Sequence, residues 1–207
     1  MEGRLTPTLL VAAALACGGS DPETDVPPVA APIPTAGMAG QEVTLYPLTL
    51  VVSDPALGWA EAVGPRADAL ATADSLLATF LTERVPEVTW ILPTELRRAA
   101  GRAPGMLPDP DKMSTAILRG GEERQIPDPL RSQMRNLTGM AGDRYAFVPA
   151  SLVFVPGDTL GGRAELTVAI ADVRMGLVQW RTVARAEGDD PWAALRRALS
   201  QLVPDVP

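Results

Sequence analysis

Residues 9–16 read LLVAAALA, eight apolar residues in a row, and the run stops at Cys17, the only cysteine in the chain. A helix needs about 20 apolar residues to cross a bilayer core, so this run cannot span one. Its length and position fit the apolar region of a signal peptide, with Arg4 and the amino terminus as the preceding positive charge, offset by Glu2. The competing reading is a buried amino-terminal helix with a core cysteine. It needs a helical pattern beyond Gly18, and none follows. Gly18 to Gln41 instead holds five prolines, four glycines and four alanines without apolar periodicity. X-Pro pairs favour extended chain, so this stretch reads as a tether. A proline ligand for a partner domain is the lesser reading of the same residues. Folding therefore falls to the remainder: residues 1–16 as signal peptide, 17–41 as cysteine and flexible linker, and 42–207 as one domain.

Composition narrows the chemistry. Apolar residues make up 46% of the chain, enough for a real core. A net charge of -7 argues against a nucleic-acid partner, which requires a basic surface to neutralise phosphates. The chain has no histidine, which removes the commonest general base and metal ligand. A single cysteine excludes an intrachain disulfide, a Cys-rich metal site and a CxxC redox pair. No cofactor and no metal are expected.

The run ends in Ala14-Leu15-Ala16-Cys17-Gly18, which resembles the bacterial lipobox. That resemblance implies cleavage between Ala16 and Cys17 and lipidation of Cys17. The lipobox usually places Leu three residues before the cysteine, where this chain has Ala14. Under the sorting rule of Gram-negative lipoproteins, which the resemblance brings with it, Gly18 rather than Asp after the cysteine permits transfer to the outer membrane, the location expected ahead of the inner membrane, with the domain facing the periplasm.

Strand and helix signals alternate through the domain. Glu42 to Val52 reads as a strand, with Pro47 unable to donate to a ladder. Leu70, Ala73, Leu77, Phe80 and Leu81 make the apolar stripe of a helix that starts near Pro65 and stops at Pro86. Glu87 to Pro93 is a second strand, and Thr94 is placed as the N-cap of a short helix ending at Gly101. Residues 102–126 are the least regular part; Asp109-Pro110 predicts a helix to about Leu118. Asp128-Pro129 repeats the signature before a helix carrying Leu130, Met134 and Leu137. Asp143 to Val155, with a kink at Pro149, and the segments from Arg163 and from Leu177 are strands. Asp190-Pro191 opens a last helix with Trp192, Leu195, Leu199 and Leu202 on its inner side. The expected fold is an α/β sandwich: a mixed sheet of about five strands with an antiparallel C-terminal hairpin and helices packed on it.

The second half carries a recurring envelope pattern: Gly142-Asp143-Arg144-Tyr145 entering a strand, then Leu166 to Asp172, then Gly176-Leu177-Val178-Gln179-Trp180. It resembles the amino-terminal domain of the Tol-system propeller protein TolB and the periplasmic domain of the curli-secretion lipoprotein CsgG. The resemblance covers about residues 43–202. It implies structural roles: Asp172 and Gly176 in a hairpin turn, and Trp180 in the core. The chain has no spare pair of amphipathic strands for a curli-type barrel and no propeller repeats.

No catalytic motif stands up. Asp109 and Asp111 beside Lys112 lack the further oxygen ligands, Gly and Glu of a calcium loop and read as helix capping. Glu122, Glu123 and Arg124 read as a solvated turn. Ser151 is not in a Gly-x-Ser-x-Gly elbow, and a Ser-Lys pair would have to use Lys112, the only lysine. Gly101 to Gly105 lacks the Lys-Ser/Thr ending of a phosphate loop. The reading is a non-enzymatic, lipid-anchored cell-envelope protein that presents an interaction domain to an envelope protein partner. The alternative is a subunit of an oligomeric envelope assembly or secretion complex, meeting its neighbours through edge strands and the segment Met106 to Met113. A hydrolase is the remote third reading.

Overall fold

A computed structural model describes residues 30–120, 124–141, 143–159 and 161–204. The signal peptide, Ala16, Cys17, the tether up to Val29, Glu122, Glu123 and Gly142 lie outside the described residues. Among the described residues six strands form one open mixed sheet, not closed into a barrel. They are β1 (Glu42–Leu45), β2 (Val51–Ser53), β3 (Thr89–Ile91), β4 (Tyr145–Pro156), β5 (Gly162–Asp172) and β6 (Leu177–Gly188). The helices are α1 (Ala60–Val63), α2 (Arg66–Arg84), α3 (Pro93–Arg102), α4 (Leu130–Ala141) and α5 (Pro191–Leu202). The strand order is β3-β1-β4-β5-β6, with β2 also on β4. β1 runs parallel to β3 and β4, while β4, β5 and β6 are antiparallel. The expected α/β sandwich with its C-terminal hairpin is the observed fold.

The expected first strand, Glu42 to Val52, is two strands laid end to end along β4. Pro47 has no N–H to give, so the ladder ends at Leu45 and resumes at Val51. Beside the gap, β4 is itself irregular between Pro149 and Ser151. That bulge shifts the side-chain parity of β4: Phe147 points to one face before it, and Leu152 and Phe154 point to the same face after it. Without the extra residue, half of β4 would present its large side chains to the wrong layer.

The two faces carry different cores. On one, α2 and α5 bring Ala73, Leu77, Leu81, Leu195, Leu199 and Leu202 onto large sheet residues such as Leu45, Phe147, Phe154 and Leu166. Edge-on aromatic pairs add to it, with Phe154 5.8 Å from Trp59 and 6.0 Å from Trp192. On the other, α3 and α4 lie over Ala146, Ala150, Ala169 and Ala171, whose small side chains let Leu96, Leu130, Met134 and Leu137 come close to the sheet. Helices on both faces explain why β4 is buried almost throughout.

Residues 30–38, expected to belong to the linker, pack on the domain. Ala30, Ile33 and Met38 are buried in the α2/α5 layer, and Ile33 N–H donates to Leu202 O at 2.9 Å. Proline spacing hid these apolar residues, which have no helical or strand period to betray them. The helix expected from Thr94 starts at Pro93, with the Glu95 carboxylate accepting from Leu92 N–H at 3.2 Å. The helix expected from Pro110 to Leu118 is absent. Short 3-10 turns at Pro110–Lys112 and Thr115–Arg119 stand in its place, because the extended backbone at Met113 interrupts them.

α5 closes the fold. Asp190 caps it, accepting from Trp192 N–H and Ala193 N–H at 2.9 Å each. Gly188, just before, lies so close that a Cβ there would sit 2.7 Å from the backbone nitrogen of Ala194. Gly188→Ala is expected to lower stability by about 1–3 kcal/mol through overpacking against backbone, measured by urea denaturation.

Candidate functional site

The residues that leave the sandwich are those between α3 and α4. This excursion is pinned by one arginine. Arg97 on α3 grips Asp111 with Nε at 3.0 and 2.9 Å and Nη2 at 2.7 Å, and the same Nη2 reaches Asp74 Oδ2 on α2 at 2.6 Å. Asp74 is buried, and its Oδ1 accepts from Leu48 N–H at 2.8 Å, within the gap between β1 and β2. A second link joins Thr49 and Thr115, whose hydroxyls are 2.8 Å apart. The excursion is therefore tied to the sheet at the place where the first strand breaks.

Asp109 and Asp111 thus act as anchors. Asp109 Oδ1 accepts from Asp111 N–H at 3.1 Å and its Oδ2 pairs with Lys112 at 3.1 Å, which holds the Asp109 carboxyl below its usual range. Met113, Leu118 and Ile126 fold back into the core under the excursion. Its outer surface shows two large apolar side chains, Met106 at 82% and Ile117 at 56% exposure. The contact segment expected from Met106 to Met113 is accordingly only half available: Met106 projects, whereas Met113 is buried because it covers the α4 face of the sheet. An open cavity of about 380 Å3 adjoins it, bordered by Arg97, Gly101, Gly105, Leu107, Asp109 and Asp111.

Part of one outer strand is engaged within the chain. β6 is an outer strand, but the Gln201 side chain bonds both Arg185 N–H and Arg185 O, and Val178 N–H donates to Arg124 O at 2.6 Å. Ala31 N–H reaches Thr182 Oγ1 at 2.8 Å. The Arg185 and Val178 backbone groups on the β6 edge are thus already engaged.

Asp172, fully buried, accepts from Met175 N–H through Oδ1 at 2.9 Å and from Arg144 Nε through Oδ2 at 2.8 Å. Gly176 has φ +70° and its N–H donates to Asp172 O at 2.8 Å, so these residues build the β5–β6 turn. Trp180 is half-buried against the α2/α5 layer. Ser151 is 3% exposed within β4, and Lys112 is engaged by Asp109, so neither is set up as nucleophile or base. Among the described residues no group of three or more acidic, Cys or His side chains could hold a metal ion, and no helix is long and apolar enough to cross a membrane.

No family model matches the chain, and no curated protein matches it. Solved structures similar to it include the LpoB C-terminal domain from Escherichia coli, at 14% identity and TM-score 0.41 over 73% of this chain and 85% of that one. The PelC dodecamer from Paraburkholderia phytofirmans aligns at 14% identity and TM-score 0.39, over 84% and 93% of the two chains. The lipoprotein GNA1162 from Neisseria meningitidis aligns at 14% identity and TM-score 0.36, over 72% and 81%.

Burial pushes the Asp74 carboxyl above its ordinary range, while Leu48 N–H and Arg97 pull it back. A carboxyl raised on folding contributes stability at low pH that is lost as pH climbs through its raised value. Arg97→Met raises it further. The expected loss is about 2 kcal/mol at neutral pH, below the fully buried figure because Arg97 is one-third exposed. Urea denaturation across a pH series is expected to show that deficit shrinking as the pH falls into the carboxylate range.

Proposed function

We propose that this protein is a non-enzymatic, lipid-anchored component of a bacterial cell envelope, held by a lipid on Cys17. A tether of about a dozen residues separates that lipid from a domain that begins near Ala30 and presents the α3–α4 excursion to an envelope protein partner. The observation that carries the reading is the eight-residue apolar run ending at the only cysteine of a chain without histidine. A cysteine so placed is neither a metal ligand nor an activated nucleophile; its use is attachment. One acyl chain holds a protein only marginally, and the lipobox resemblance implies more than one. Gly18 after the cysteine supports the outer membrane, with the domain in the periplasm.

The pinned excursion supports the interaction half of the proposal. Met106 and Ile117 are exposed on a segment fixed by Arg97, so a partner meets apolar surface that is already ordered. The same exposure favours, as second reading, a subunit of an oligomeric envelope assembly. Native mass measurement of the purified protein separates the two: a discrete ring supports assembly, and a monomer supports a heterologous partner.

Cys17→Ser is expected to move the protein from the membrane pellet to the soluble fraction without altering its circular dichroism. If the variant still sediments with membranes, the anchoring proposal fails. Met106→Glu with Ile117→Glu is expected to leave the thermal midpoint within a few degrees and to reduce crosslinking to envelope proteins in intact cells.

A further inference from the structure

Gly101 is a glycine that α3 itself does not need. It lies inside the helix, ahead of the C-cap at Ala103. Its φ is not positive, and a Cβ built there would meet nothing within 4 Å. Alanine would fit and would favour the helix, since glycine is the least favourable helix residue after proline. What the missing side chain leaves open is one wall of the cavity of about 380 Å3 beside the excursion. The rest of that wall is largely apolar, with Ala100 from α3 and Pro104, Gly105, Leu107 and Pro110 from the excursion. The volume falls within the range of about 300–1,000 Å3 common to ligand clefts.

The charged groups that border the cavity are already paired. Arg97 binds Asp111 and Asp74, and Asp109 binds Lys112. The Arg97 pairs also hold the α3 wall against the excursion wall, so the cavity is formed before anything enters it. An apolar hollow with its rim charges satisfied suits an aliphatic side chain. Two further cations stand outside it. Arg98 lies one turn before Gly101 on α3, and Arg102 one turn after Arg98. Leu96 and Ala100 set the buried stripe of α3, so Arg98 and Arg102 point away from the sheet, and both are exposed. Neither has an ion-pair or hydrogen-bond partner among the described residues. Glu95, the one carboxylate of α3, accepts from Leu92 N–H at the other end of the helix. Resting on the reading of the excursion as a docking surface, we propose that the cavity receives one aliphatic side chain from an acidic segment of the partner protein, whose carboxylates face Arg98 and Arg102. Met106, exposed between the cavity residues Gly105 and Leu107, adds apolar surface at the rim. An apolar anchor seated in a preformed pocket is the usual centre of a binding hot spot.

Three peptide probes test this on the purified full chain. The first has a central leucine flanked by glutamates, the second has alanine in place of the leucine, and the third has lysines in place of the glutamates. Amide shifts of Ala100, Gly101, Gly105 and Leu107 in nitrogen-15 NMR spectra report occupation of the cavity. Saturable shifts are expected with the leucine–glutamate peptide and none with the lysine peptide. The alanine peptide is expected to bind about tenfold more weakly, because it buries fewer methylenes. Gly101→Leu fills the cavity from a position where a side chain meets no neighbour, and is expected to abolish binding with unchanged circular dichroism. Arg98→Gln with Arg102→Gln leaves the cavity wall intact. It is expected to weaken the leucine–glutamate peptide about fivefold or more and to flatten its salt dependence. The proposal is overturned if the leucine–glutamate peptide gives no saturable shift, if the alanine or lysine peptide binds as well, or if either variant binds like wild type. Concentration-dependent shifts of the same amides without peptide would assign the cavity to a second copy of the chain and also overturn it. Failure here leaves the docking reading standing, since crosslinking of the Met106 and Ile117 variant in cells tests that reading without any peptide.

Discussion

Asp74 is where three parts of this molecule meet. Its carboxylate is buried on α2, and it takes the Leu48 N–H that the interrupted first strand cannot place in the sheet. A buried anion needs a cation, and Arg97 from α3 supplies it while also holding Asp111 in the excursion. Pro47 creates the unpaired backbone group, Asp74 satisfies it, Arg97 neutralises Asp74, and Asp111 completes the guanidinium. Each step follows from leaving the previous one unsatisfied.

Packing on the two faces of the sheet obeys a similar logic. The β4 bulge keeps large residues on the α2/α5 side and alanines on the α4 side, so each helix layer meets a surface of matching depth. The alanines permit α4 to lie close, and its far end then stands over the entry to β4. That placement sets Thr138 and Gly139 beside Asp143. The polar character of this corner is a by-product of how tightly the apolar layer beside it packs.

The proposed anchoring and presentation rest on separate parts of the chain, joined by a proline-rich stretch that begins packing at Ala30. Fixing residues 30–38 on the α2/α5 layer shortens the reach of the domain from the proposed attachment at Cys17. Ala31 N–H also bonds the Thr182 hydroxyl of β6, which ties residues 30–38 to the sheet.

Much of the fold was legible in the sequence. The α2 stripe, the Asp190-Pro191 cap and the two-sided apolar strands are local patterns, and local patterns survive folding because they encode period and backbone geometry. Asp172 and Gly176 stand in the β5–β6 turn for the same reason: a short acceptor side chain and a positive φ are properties of single residues. The apolar run before Cys17 is equally local, and it alone underlies the expectation of attachment. Other features could not be read this way. Asp74 looks like an exposed helix residue until Leu48 and Arg97 arrive from 26 positions before it and 23 positions after it. Asp143 reads as a strand-entry residue until α4 and Thr44 of β1 enclose it. Met113 and Ile33 show no period and become core only because the sheet leaves space beneath them. The sequence by itself determined most of the elements, since these depend on neighbours along the chain. The tertiary structure decided which charges are buried and which surfaces are covered, because desolvation depends on partners that only folding brings together.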